Sequence, residues 1–119
     1  MADEVEALRT QFVVEVGVRQ AWPFLTLCDN AHTPPRETRL YIGTTFRVGS
    51  SPLTFTEGDP DLAVAELLEL NNRTVTAAAV GADQELRLVF DDGQSTLVVD
   101  AVPRDFTGGD IWWLAPGRL

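Results

Sequence analysis

A chain of 119 residues, 45% of them apolar, can bury one modest core and is too short for two. Its 18 acids outweigh 9 bases, all of them arginine, for a net charge of −9. Such a surface repels phosphate backbones and anionic bilayers, which argues against nucleic-acid and membrane binding, and it attracts a basic protein partner.

The opening segment, MADEVEALRT, is acidic and polar. It lacks the basic start and apolar stretch of a secretory signal, and no apolar run is long enough for a transmembrane helix, so the expected location is cytoplasmic. Residues 2–9 suit a short helix or an arm. From Gln11 the pattern changes. Phe12, Val14, Val16 and Val18 alternate with Val13, Glu15, Gly17 and Arg19, which predicts a strand with one apolar face. PFLTLCD, residues 23–29, is a second short strand. NAHTPPRE is a loop, because Pro34-Pro35 cannot sit inside a ladder. Thr38 to Gly49 reads as one long strand with a kink at Gly43.

GDPDLAVAELLELNN holds the one good helix, over residues 60–70. Asp59 suits the N-cap, Pro60 the first helical position, and Asp61 the positive end of the helix dipole. Leu62, Val64, Ala65, Leu67 and Leu68 form the apolar stripe, Glu66 and Glu69 face outward, and Asn71-Asn72 is the stop. Strands are predicted over Arg73–Val80, Glu85–Phe90 and Thr96–Ala101. VPRDFTGG is a loop, and DIWWL closes the chain as a short strand.

The strand groups at 11–49 and 73–102 resemble each other. A shift of 61 residues places Val14, Val16 and Val18 on Val75, Ala77 and Ala79, and Leu25 and Leu27 on Leu86 and Leu88. The expected fold is therefore mainly β (α+β): a single domain, 1–119, of about six to seven mostly antiparallel strands in two pseudo-repeated halves around one central helix.

Few residues carry chemistry. Asp91-Asp92-Gly93 lacks the ligand spacing of a calcium loop and reads as a hairpin turn, with glycine supplying a positive φ. Capping accounts for Asp59 and Asp61 without a cation at Glu57–Asp61. The sole cysteine, Cys28, cannot form an internal disulfide; it lies with Asp29 near the sole histidine, His32, but ends a strand, and nothing places a base against its thiol. No phosphate loop, paired-histidine motif or nucleophile elbow occurs. The reading is a chain with no catalytic, cofactor-binding or metal-binding residues.

Tryptophan supplies the remaining candidates. Trp112 and Trp113 are adjacent, so in a strand their rings point to opposite faces: one fills the core and the other joins an apolar surface patch. Leu114 shares the parity of Trp112 and Ile111 that of Trp113, which leaves open which of the two is inside. Trp22, before Pro23, adds a third ring. Trp112, Trp113 and Trp22 are thus the candidate interface residues.

Leu86, Leu88, Phe90, Asp92, Gly93 and Val98 match a pattern L-x-L-x-F-x-D-G-x-x-x-x-V, and Asp110, Trp112 and Leu114 match a closing Glu-x-Trp-x-Leu, with Asp in place of Glu. Over residues 37–119 the chain thereby resembles a family of small bacterial proteins of unknown function with two related β halves. Some families with similar endings are immunity proteins, which bind and neutralise bacterial toxins. The resemblance implies an immunity-type or regulatory protein-binding module; the lack of a catalytic constellation makes it non-enzymatic, and the charge makes its expected partner a basic protein. The alternatives are a self-associating structural module, or a small ligand binder or enzyme using Glu57–Asp61 or His32.

Overall fold

In the computed structural model the first strand is interrupted where its sequence alternates most cleanly. Strand β1 (Phe12–Arg19) pairs with β2 (Trp22–Asp29), but its register slips between Val13 and Glu15. Val13 opposes Leu27 and Val16 opposes Leu25, so these two valines share the core side of the sheet. The predicted face of Phe12, Val14, Val16 and Val18 is therefore corrected: Val14 sits in the bulge and is 38% exposed, while Val13 is fully buried. The residues described are 2–20, 22–31, 33–49, 60–100 and 111–116.

Eight strands lie among them, against the six or seven expected, in two antiparallel four-stranded sheets. The difference arises because the predicted strand 38–49 divides in two. β3 (Arg36–Ile42) ends before Gly43, and β4 (Phe46–Val48) begins three residues later in the other sheet. The chain crosses between layers over Gly43–Thr45. The Gly43 N–H donates to the Ile111 carbonyl at 2.9 Å, and the Thr45 hydroxyl donates to Asp100 Oδ2 at 3.1 Å. These bonds satisfy polar groups at a crossing where Thr44 and Thr45 are buried.

The second half supplies β5 (Val75–Val80), β6 (Leu86–Phe90), β7 (Ser95–Val99) and β8 (Trp112–Pro116). Strand order is β1-β2-β3-β8 in the first sheet and β4-β7-β6-β5 in the second. Each sheet is thus a meander from one half completed by the last strand of the other. The suggested equivalence of Val14 with Val75 does not hold in packing, since Val75 is fully buried and Val14 is not.

The sheets face each other across one core. Leu25, Leu27, Leu40 and Ile42 meet Phe46, Leu86, Leu88, Phe90, Leu97 and Val99 there, all fully buried. Along one side the layers are stitched together: Thr10 N–H donates to Val75 O, Val75 N–H to Gln11 O, and Val13 N–H to Arg73 O. A short helix, α1 (Ala2–Glu6), packs on β5 and adds Val5 and, just beyond it, Leu8 to the core.

Helix α2 spans Pro60–Leu67 and tightens into a 3-10 turn over Leu68–Leu70. It packs against β1, β2 and β4. Its buried face is Ala63, Leu67 and Leu70, which corrects the predicted stripe: Leu62 and Leu68 are about half exposed. Spaced by four and three, Ala63, Leu67 and Leu70 share one face of the helix, and that face continues through the final turn. Asn72 then takes the left-handed conformation at φ 70°. Asp59, Glu57 and the loop 102–109 lie outside the described residues, as does His32.

Candidate functional site

The strand alternation that sends Leu25 and Leu27 inward sends Trp22, Phe24, Thr26 and Cys28 to the opposite face of β2. Register carries the same parity across the sheet. Phe24 opposes Tyr41 on β3, Tyr41 opposes Trp113 on β8, and Thr26 opposes Arg39. The outer surface of the first sheet is consequently aromatic.

The rings touch in series. Trp22 meets Trp113 edge-on at 5.6 Å between centroids, Trp113 stacks on Tyr41 at 5.5 Å with planes 12° apart, and Tyr41 meets Phe24 at 5.5 Å. The Arg39 guanidinium lies over the Phe24 ring, 4.3 Å from its centroid. Arg39 Nη1 donates to the Tyr41 hydroxyl at 3.3 Å, and Nη2 reaches Glu15 Oε1 at 3.5 Å. The same Glu15 oxygen accepts the Thr26 hydroxyl at 2.9 Å. The hydrogen bond to Tyr41, then the charges of Tyr41 and Glu15, raise the Arg39 guanidinium above its ordinary pKa against the opposing effect of burial.

Gly17 sets how closely this layer lies on the sheet. It opposes Phe24, and a Cβ added there would come within 2.8 Å of the ring. Phe24 settles over the bare glycine, and Arg39 lies over the Phe24 ring. The result is a face on which Phe24 and Tyr41 are buried and Trp22 and Trp113 are half-buried.

Trp112 faces the other way. It is buried in the core, and its indole N–H donates to the Gln84 carbonyl at 2.7 Å. Trp113 and Trp22, separated by 91 positions in the chain, come together as neighbours. Phe24, Tyr41, Arg39 and Glu15 complete the cluster and were not singled out from sequence. Their signal is a spacing of two, W-x-F-x-T on β2 and R-x-Y on β3, opposite in phase to the core leucines.

No protein-family model, curated protein or solved structure matches this chain.

The other candidates have structural occupations. Asp91 Oδ2 accepts from Arg73 Nη1 at 3.1 Å and Oδ1 from the Thr74 N–H at 3.1 Å, and the Asp92 N–H donates to the Thr76 hydroxyl at 3.0 Å. The turn is left-handed at Asp91, Asp92 and Gly93, with φ of 51°, 59° and 105°. Cys28 is buried, and its thiol donates to Asn30 Oδ1 at 3.4 Å. No group of three or more His, Cys, Asp or Glu side chains among the described residues is placed to hold a metal ion. Among those residues no helix is long and apolar enough to cross a membrane.

Proposed function

We propose that the protein is a non-enzymatic protein-binding module, immunity-type or regulatory, that engages its partner through the outer face of the first sheet. One observation carries this reading: the unbroken contact series Trp22–Trp113–Tyr41–Phe24–Arg39 on the side of a sheet that faces away from the core. Tryptophan, tyrosine and arginine are the residues that dominate binding energy at interfaces, because each offers a large rigid surface with a polar handle. Rings already fixed by one another lose little side-chain freedom on association. The net charge of −9 supports a basic partner, and the closing resemblance supports an immunity-type one. The cytoplasm is the expected compartment. The two halves are copies of one ancestral unit on this reading, supported by the shared meander and by the reciprocal exchange of β4 and β8.

A second reading is self-association, favoured by β8. That strand carries Trp113, and its far edge has no strand neighbour among the described residues. One experiment addresses both. Sedimentation of the protein alone and capture of the adjacent gene's product are measured for the native chain and for Trp113→Ala. A complex with that product, weakened at high salt and at least about tenfold weaker in the variant, is the expected result. A dimer of the native chain that the variant loses would replace it with the second reading. Neither complex nor dimer would refute both.

A further inference from the structure

Among the described residues four strands lie at sheet edges, and three of them are blunted. β1 and β5 are tied together where Phe12 bridges Thr74, and each carries a bulge, between Val13 and Glu15 and between Val75 and Ala77. β4 is three residues long, with Arg47 exposed at its centre. Bulges, shortness and charge are devices by which sheets discourage further pairing. β8 has none of these. It is five residues long, keeps one register along β3, and its sequence, WWLAP, is uncharged.

The direction of its backbone groups follows from the ladder. The Gly43 N–H donates to the Ile111 carbonyl at 2.9 Å, and Ile42 opposes Trp112. Hydrogen bonding alternates along an antiparallel pair, so Ile111, Trp113 and Ala115 turn their N–H and carbonyl groups toward β3. Those of Trp112 and Leu114 point to the open edge, where no strand meets them among the described residues. Pro116 adds a carbonyl and no N–H, so it closes the row of donors. Donors and acceptors alternating in a line are matched by another extended backbone. Trp113 lies on the aromatic side of the strand and Leu114 on the core side, so an added strand lays its alternate side chains beside one and then the other. The net charge of −9 sets two copies of the chain against each other and attracts a basic segment.

We infer that the partner supplies an extended basic segment that pairs with the open edge of β8 and widens the first sheet by one strand. This mode of binding rests on the protein-binding reading and adds to it the conformation of the partner and the backbone groups that receive it. The probe is a short capped peptide of alternating lysine and valine, with two versions N-methylated at one or the other set of alternate amides. An added strand pairs through one of its edges. One methylated version should therefore bind the native chain roughly tenfold more weakly than the unmodified peptide, and the other about as well. Leu114→Pro, which removes an outward N–H, should bind the unmodified peptide roughly tenfold more weakly than Leu114→Ala, which trims the same side chain and keeps that N–H. Trp113→Ala should weaken binding of every version. If it does so while methylation and Leu114→Pro have no effect, the aromatic face stands as the interface and strand addition is overturned. Edge effects without any effect of Trp113→Ala would instead overturn the aromatic-face reading, and strand addition as its extension. No binding of the unmodified peptide, or a dimer of the native chain that Leu114→Pro dissolves, would also overturn strand addition by a partner. Should Leu114→Pro fail to fold, the methylated peptides on the native chain decide the matter.

Discussion

At the scale of single residues, backbone conformation and parity decide most outcomes. Gly93 sits at φ 105°, a conformation that side chains rarely adopt, with no atom near the position of a Cβ. Gly93→Ala should therefore cost about 1 kcal/mol or more through backbone strain alone, read as a lower midpoint in urea with an unchanged slope. The adjacent tryptophans differ because consecutive strand residues face opposite ways. Trp112 fills the core and donates to Gln84, so Trp112→Ala should lose about 3–5 kcal/mol of stability in the same titration. Parity made the divergence of the pair legible in the sequence. What parity could not convey was that Trp113 would meet Trp22, because that contact depends on β8 joining β3 rather than a strand of its own half.

At the scale of elements, the strands and the central helix were legible and their faces were not. β2, β6 and β7 appear within one or two residues of where the short apolar runs between turn signals place them. β1 looked simplest and misled, since the bulge between Val13 and Glu15 reverses the phase halfway along. The segment 38–49 reads as continuous because Thr44, Thr45 and Phe46 are all compatible with a strand; only the tertiary bonds of Gly43 and Thr45 show a crossing. Helix α2 misled similarly, because its apolar residues fit more than one face and packing selects Ala63, Leu67 and Leu70. Leu67→Ala should thus cost about 2–5 kcal/mol, whereas Leu68→Gln, at a half-exposed position, should change stability by no more than about 0.5 kcal/mol. Equal losses in the two variants, compared by thermal melting, would mean that the helix packs on its predicted stripe instead.

At the scale of the whole molecule, the two sheets depend on each other covalently as well as by packing. Strand β8 covers the edge of β3, where Leu40 and Ile42 are fully buried, and β4 borders β7 in the other layer. A chain ending at Ile111 would leave β3 with unpaired N–H and C=O groups beside an apolar strip, a template for pairing with other chains. Such a truncated protein should lose cooperative unfolding and sediment as aggregates, whereas the native chain should melt in one cooperative transition. The same arrangement has a meaning in time. Synthesis runs from the amino end, and the first sheet waits through the whole second meander for its fourth strand. Until residues 112–116 have been made, Tyr41 has no ring stacked on it and Trp22 has no neighbour in Trp113. The aromatic face is completed only with β8, so it marks a chain whose translation has passed residue 116.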